Sequence, residues 1–212
     1  MQSTPVQAAL RVNVPLPEKI FSHALKGGVY HLNDEQAVAM QSDPDVAYVE
    51  KDQLVHINAS QAGATWGLDR IDQASLPLDS TYSYPASQAQ VNAYIIDTGI
   101  LISHQEFGGR ASSGADLVDG DSDPTDCNGH GTHVAGTIGG STYGVAKFAK
   151  LIGVRVLDCE GSGSISSVVA GIDWVTAHHV GPSVANMSLG GGISQALDGA
   201  MTASIQSGVT YV

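Results

Sequence analysis

Residues 126–140 constrain the fold more than any other stretch: Asp126-Cys127-Asn128-Gly129-His130-Gly131-Thr132-His133-Val134-Ala135-Gly136-Thr137-Ile138-Gly139-Gly140. Five of these fifteen residues are glycine, which weakens intrinsic helix propensity. Asn128 and Gly129 supply a turn. Beyond them the residues are small or apolar, too small for an ordinary surface helix. Such a helix holds only if it is buried, and its bare backbone can then pass close to other backbone. The pattern predicts a core helix carrying His130 at its start.

A partner for that imidazole lies upstream. Val91-Asn92-Ala93-Tyr94-Ile95-Ile96-Asp97-Thr98-Gly99 is a short apolar run ending in an acid and a glycine turn. An acid closing a buried parallel strand stands where open α/β sheets place their sites. A buried carboxylate can hold an imidazole in one tautomer and stabilise its protonated form. The order Asp97 then His130 is that of subtilisin-type triads and not of chymotrypsin.

The rest of the chain suits such a sheet. Its 42% hydrophobic and 14% charged residues fit a globular core. A net charge of −12 argues against a nucleic-acid surface. No apolar run is long enough to span a membrane. Met1-Gln2-Ser3-Thr4-Pro5-Val6 is no signal peptide. Residues 1–20 are poorly patterned and read as disordered or a remnant. Gly28–Leu32 alternates like a strand. Asn33 caps a short helix with Gln36 in capping-box spacing, and Val46–Glu50 reads as a second strand. Asn58–Thr65 reads as a polar linker and cleavage zone. Lys150–Leu157 fits a buried parallel strand. Ser164 caps a helix over Ile165–His178, whose apolar residues recur at helical spacing. Ser183–Leu189 is the next strand, Ser194–Gln206 a further helix, and Val209 opens another strand. The β-α alternation calls for a parallel sheet with right-handed crossovers.

Three motifs then meet a known family. Ile96-Asp97-Thr98-Gly99 and Asn128-Gly129-His130-Gly131-Thr132-His133 closely resemble the Asp and His signatures of subtilisin-like serine proteases, the subtilases. Asn186-Met187-Ser188-Leu189-Gly190-Gly191-Gly192 resembles their substrate-binding strand and loop. The cysteines and Trp66–Gln73 are similar to the proteinase K branch, near the Vibrio-type and aqualysin-like extracellular proteases. The likeness runs from about Phe21 to the end.

That resemblance implies an α/β fold: a three-layer parallel sheet with helices on both faces, incomplete here, preceded by a partial α+β inhibitory propeptide. It divides the chain into 1–58, the partial propeptide, and 59–212, the N-terminal part of the peptidase domain. It implies Asp97 and His130 as catalytic residues. Gly161, Ser162, Gly163, Ser188, Leu189 and Gly190 become substrate-binding residues that pair with an extended peptide. Structural calcium is implied at Asp69, Asp72, Gln73 and Asp79, and at Asp116 and Asp121. The residues alone leave Cys127 and Cys159 as two buried thiols or a disulfide; the resemblance implies the disulfide. It further implies polypeptide substrates, the chain's own propeptide as intramolecular inhibitor, an extracellular location and a monomer when complete. Asp52–Ile57 matches the propeptide tail that lies in the cleft.

One part of the chemistry is missing. The family's oxyanion-hole Asn lies past the strand that Val209 opens, and its nucleophile sits in Gly-Thr-Ser, which occurs nowhere in these 212 residues. Ser188 matches the substrate strand and cannot replace it. The expectation is a serine endopeptidase by family and a chain nearly inert as it stands, its exposed sheet edge an aggregation hazard. The competing class is a non-catalytic peptide- or protease-binding protein. A zinc site of Cys127, His130 and His133 is a further alternative, but His-x-x-His lacks the Glu of the zinc-protease motif.

Overall fold

The structure, a computed structural model, describes residues 4–52, 58–86, 90–121 and 123–212. The chain divides into two compact units, Met1–Val55 and His56–Val212.

The first unit is more ordered than its sequence promises. Helix α1 spans Pro5–Val12, where a remnant was expected. Its start is a complete capping box. The Thr4 hydroxyl accepts the Gln7 N–H, and the Gln7 side chain accepts the Thr4 N–H. Pro5 occupies the first turn, where no backbone N–H is needed. Strands β1 (Lys19–Phe21) and β2 (Gly27–Val29) pair antiparallel, and α2 covers Asp34–Gln41 behind the Asn33–Gln36 capping box. Ala8, Ala9 and Met40 form the core, with Tyr30, Leu32, Val46 and Val49 packed on it. Arg11 grips buried Asp43 through two 2.8 Å hydrogen bonds. The strand expected at Val46–Glu50 does not form. Val49 donates its N–H to Gln41 Oε1 and not to a neighbouring strand. Of the expected propeptide tail, residues 53–57 lie outside the described residues.

In the second unit the expected linker is instead strand β3 (Asn58–Ala62). It leads through α3 (Trp66–Ile71) to β4 (Thr81–Pro85), with which it pairs antiparallel. The remaining elements are β5 (Asn92–Asp97), a 3-10 turn (Gln105–Phe107), β6 (Ala111–Asp116), α4 (His130–Gly139), β7 (Lys150–Arg155), α5 (Ile165–His178), β8 (Ser183–Asn186), α6 (Gln195–Ser207) and β9 (Val209–Tyr211). The last five strands form one parallel sheet in the order β6-β7-β5-β8-β9.

Strand β5 lies at the centre and is buried from Ala93 to Asp97. Successive side chains alternate between faces. Tyr94 and Ile96 pack with Val168, Ile172 and Val175 of α5, while Ala93 and Ile95 pack with Ala135 of α4. Asp97 shares the parity of Ala93 and Ile95. The acid closing the strand therefore leaves the sheet on the α4 face.

Helix α4 can approach because it is nearly bare. A Cβ on Gly131 would lie 2.1 Å from the Gly99 carbonyl oxygen and 3.2 Å from Asp97 Cβ. One on Gly139 would lie 2.9 Å from Leu151 Cδ2. Gly129, just before the helix, sits at φ +105°, a conformation that L side chains rarely adopt.

Candidate active site

Strand parity and helix approach place the expected pair together. His130 Nδ1 lies 2.8 Å from Asp97 Oδ1 and 3.0 Å from Oδ2. An ionised carboxylate only accepts, so Nδ1 carries the proton and Nε2 is left to accept one. The Asp97 side chain is fully buried, while that of His130 is 46% exposed. Asp97 also accepts the Thr98 N–H at 2.7 Å. The acid is thus fixed and dry, and the base faces the solvent side.

A second aspartate, Asp126 at the head of the glycine-rich stretch, builds the frame. Asp126 Oδ1 accepts the Asn128 and Gly129 N–H groups and the Thr98 hydroxyl, at 3.0, 2.8 and 2.9 Å. Its Oδ2 accepts the Thr132 N–H and hydroxyl at 2.9 and 2.5 Å. Thr98 Oγ1 in turn accepts the Gly131 N–H at 2.9 Å. These bonds satisfy helix-start donors that have no partner within α4 and tie them to the end of β5. Burial pushes the Asp126 carboxyl up, but the hydrogen bonds from Gly129, Thr132 and Thr98 outweigh it and hold its pKa below the usual 3.8. The signal was present as an Asp two and three residues before Asn-Gly, an Asx turn leading into a helix.

Cys127 and Cys159 are joined, with Cα atoms 5.1 Å apart. The bond takes Cys127 out of contention as a zinc thiolate. It also ties the turn before His130 to the turn after β7. Asn128 Nδ2 strengthens that tie by donating to the Cys159 carbonyl at 2.8 Å.

Gly161, Ser162, Gly163, Ser188, Leu189 and Gly190 line one cleft of about 620 Å³ with His130, Thr98 and Asn128. Both segments lie outside the regular strands.

The acid loops are arranged differently. Asp69 is buried, and its oxygens accept the Asp79 and Ser80 N–H groups at 3.3 and 2.6 Å. Asp72 accepts from Ser83 N–H and Asp79 from Thr81 N–H, each through one oxygen, and both residues are exposed. Gln73 donates its amide to the Ser75 and Pro77 carbonyls. Asp116 belongs to Arg155, whose Nη1 lies 2.6 Å from Asp116 Oδ2 and 2.6 Å from Asp119 Oδ2. Asp121 accepts the Asp123 N–H instead. Among the described residues, no three His, Cys, Asp or Glu side chains converge on a point that could hold a metal. Asp116 fits calcium poorly, because a guanidinium already neutralises it. Asp72, Asp79 and Gln73 carry the hard oxygen donors that calcium takes.

A parallel sheet whose central strand ends in an acid gripping the imidazole at the head of a half-buried, glycine-laden helix defines a subtilisin-like peptidase fold. A subtilase family model matches residues 91–212, more than half of the chain, and a peptidase inhibitor I9 model matches residues 13–58. The chain belongs to the subtilase family, with an I9 inhibitor domain at its N-terminal side. It is 58% identical over 195 residues to an extracellular serine proteinase of Thermus sp. (strain Rt41A), covering 92% of this chain and 48% of that one. It is 56% identical over 201 residues to alkaline serine exoprotease A of Vibrio alginolyticus, covering 92% and 38%. The crystal structure of a cold-adapted subtilisin-like serine proteinase superposes with a TM-score of 0.66 at 60% identity, covering 71% of this chain and 55% of that one. The chain thus spans less than half the length of these two curated relatives. Among the described residues, no helix is long and apolar enough to cross a membrane.

Proposed function

We propose that this chain carries the acid–base half of an extracellular serine endopeptidase that cleaves peptide bonds by an Asp-His-Ser triad. The observation that carries this reading is the Asp97–His130 hydrogen bond at the carboxyl edge of the sheet. In the reaction, His130 Nε2 takes the proton of a serine hydroxyl and later gives it to the leaving amine. Asp97 holds the ring in the tautomer that makes this possible. The edges at Gly161–Gly163 and Ser188–Gly190 bind substrate as added strands, which reads backbone and favours broad specificity. The N-terminal unit acts as the chain's own inhibitor, and calcium takes the remaining oxygens of Asp72 and Asp79 with Gln73.

No Gly-Thr-Ser occurs in the 212 residues. On this reading these residues supply peptide binding and the acid–base pair but not the nucleophile. For subtilisin, the reference system for this chemistry, loss of the serine or histidine costs roughly a millionfold in turnover.

The test is a fusion of residues 1–212 to the part of the Thermus relative beyond the matched region. The fusion should hydrolyse a fluorogenic peptide and be labelled by a serine-directed inhibitor, while His130→Ala should lose roughly a millionfold in turnover. A folded fusion whose activity is indifferent to His130 would overturn the reading.

A further inference from the structure

The turn that follows β7 places in the cleft of the imidazole one charge that the triad does not use. Glu160 lines the same cleft as His130. Among the described residues these two are the only ionisable side chains in that lining. The Glu160 side chain is exposed, and among the described residues no hydrogen bond or ion pair engages its carboxylate. Other nearby acids are committed. Asp97 faces His130, and Asp158 Oδ1 accepts the N–H groups of Glu160 and Ser162 at 3.0 and 2.8 Å.

The stem of Glu160 is also held in place. Cys159 before it is bonded to Cys127, and Gly161 after it sits at φ +77° with its N–H on the Asp158 carbonyl. The Asp158 N–H returns to the Ser162 carbonyl at 2.8 Å, closing the turn. A carboxylate on so fixed a turn loses little backbone freedom when it meets a ligand. The segment immediately after it, Gly161–Gly163, is the edge along which the peptide is read to lie.

We propose that Glu160 gives the cleft a preference for peptides bearing a lysine or arginine in the stretch that passes between His130 and the Gly161–Gly163 edge. This rests on the reading of the cleft as a peptide site. The ion pair forms in a solvated rim, so its contribution is small and salt-sensitive. The excess of acid over the whole molecule attracts cations too, but that pull does not depend on one residue.

The experiment uses the peptide-hydrolysing fusion, whose activity shows that the N-terminal inhibitor has left the cleft, and reads the affinity of alanine–glycine hexapeptides from their competition with the fluorogenic peptide. They are identical except for one lysine, glutamine or glutamate walked along the sequence. At the favoured position the lysine peptide should bind about three- to fivefold more tightly than its glutamine twin. At roughly 1 M salt, where screening acts within about 3 Å, the two should bind alike. Glu160→Gln should erase the difference between the lysine and glutamine peptides. Glu160→Lys should reverse the order in favour of the glutamate peptide. Asp173→Asn, an equal change of net charge elsewhere on the surface, should alter nothing. Equal binding of lysine and glutamine twins, or a preference that survives Glu160→Gln, overturns the proposal and leaves the peptide site standing. Failure of every peptide to bind, glutamine included, overturns the peptide site and the proposal with it.

Discussion

Aspartate is put to two uses in this molecule, at the Asp97–Asp126 frame and in the loop from Asp69 to Asp79. In both regions the carboxylates accept backbone N–H groups. At the frame, the donors of Asp126 come from three places: its own turn, Thr98 at the end of β5 and Thr132 inside α4. In the loop, Asp69 and Asp79 take theirs from a short stretch, residues 79–81. The first arrangement welds a strand to a helix and so sets where His130 stands. The second ties α3 to β4, the strand that directly follows it, and leaves exposed oxygens on Asp72 and Asp79. A carboxylate positions a catalytic group when its donors join elements distant in the chain, and it shapes only a local connection when they are neighbours.

That contrast ranks the expected losses. Gly131→Ala should hurt most. Alanine gains up to about 1 kcal/mol in helix propensity, but its Cβ would lie 2.1 Å from the Gly99 oxygen. The clash wins, with a net loss of about 2–3 kcal/mol in chemical denaturation. Gly136→Ala, whose Cβ meets nothing within 4 Å, should stabilise the same helix by up to about 1 kcal/mol. Equal effects of the two would break the view that close approach positions the pair.

Replacing Cys127 and Cys159 by serine should come next, at about 2 kcal/mol, the low end for a native disulfide because Asn128 still bonds the Cys159 carbonyl across the same turns, read from the denaturation midpoint at constant slope. Asp126→Asn should follow at about 1–3 kcal/mol, since asparagine keeps the shape but leaves donors facing a neutral amide. The pH dependence of this residue has a definite sign. Its folded pKa is lowered, so its contribution is full above the usual 3.8 and is lost as pH falls through the depressed value. Melting curves of the parent should therefore fall more steeply with acid than those of Asp126→Asn. The loop should give the smallest effect. Chelating calcium should lower the melting temperature by a few degrees at most, about 1 kcal/mol for a domain this size, and Asp72→Asn with Asp79→Asn should remove that response.

Much of this was legible in the sequence. The Asp97 run, the bare helix and the capped helix Ile165–His178 are set by patterns that act locally, and the structure places them within a residue or two of expectation. Strand β6 escaped notice because Ala111-Ser112-Ser113-Gly114 has neither apolar alternation nor β-branched residues, and only its place beside β7 makes it a strand. Strand β3 was read as a linker for the same reason, its small polar residues being held by pairing with β4. Helix α1 was missed although Thr4, Pro5 and Gln7 spell its start and its apolar residues favour one face, because eight residues are too few for that periodicity to stand out beside Pro5, Pro15 and Pro17. The acid loops were the least legible. Whether an aspartate faces an ion, an arginine or an amide depends on neighbours distant in the chain, as Arg155 does for Asp116.

The imidazole proton of His130 reports the central arrangement directly. In nitrogen-15 NMR of the full chain at neutral pH, the neutral ring should carry its proton on Nδ1, hydrogen-bonded to Asp97, with Nε2 bare. Asp97→Asn, offering an amide in place of an acceptor-only carboxylate, should move the proton to Nε2. A His130 ring already protonated at Nε2 alone in the parent, and unmoved by Asp97→Asn, would contradict the pairing from which the acid–base role follows.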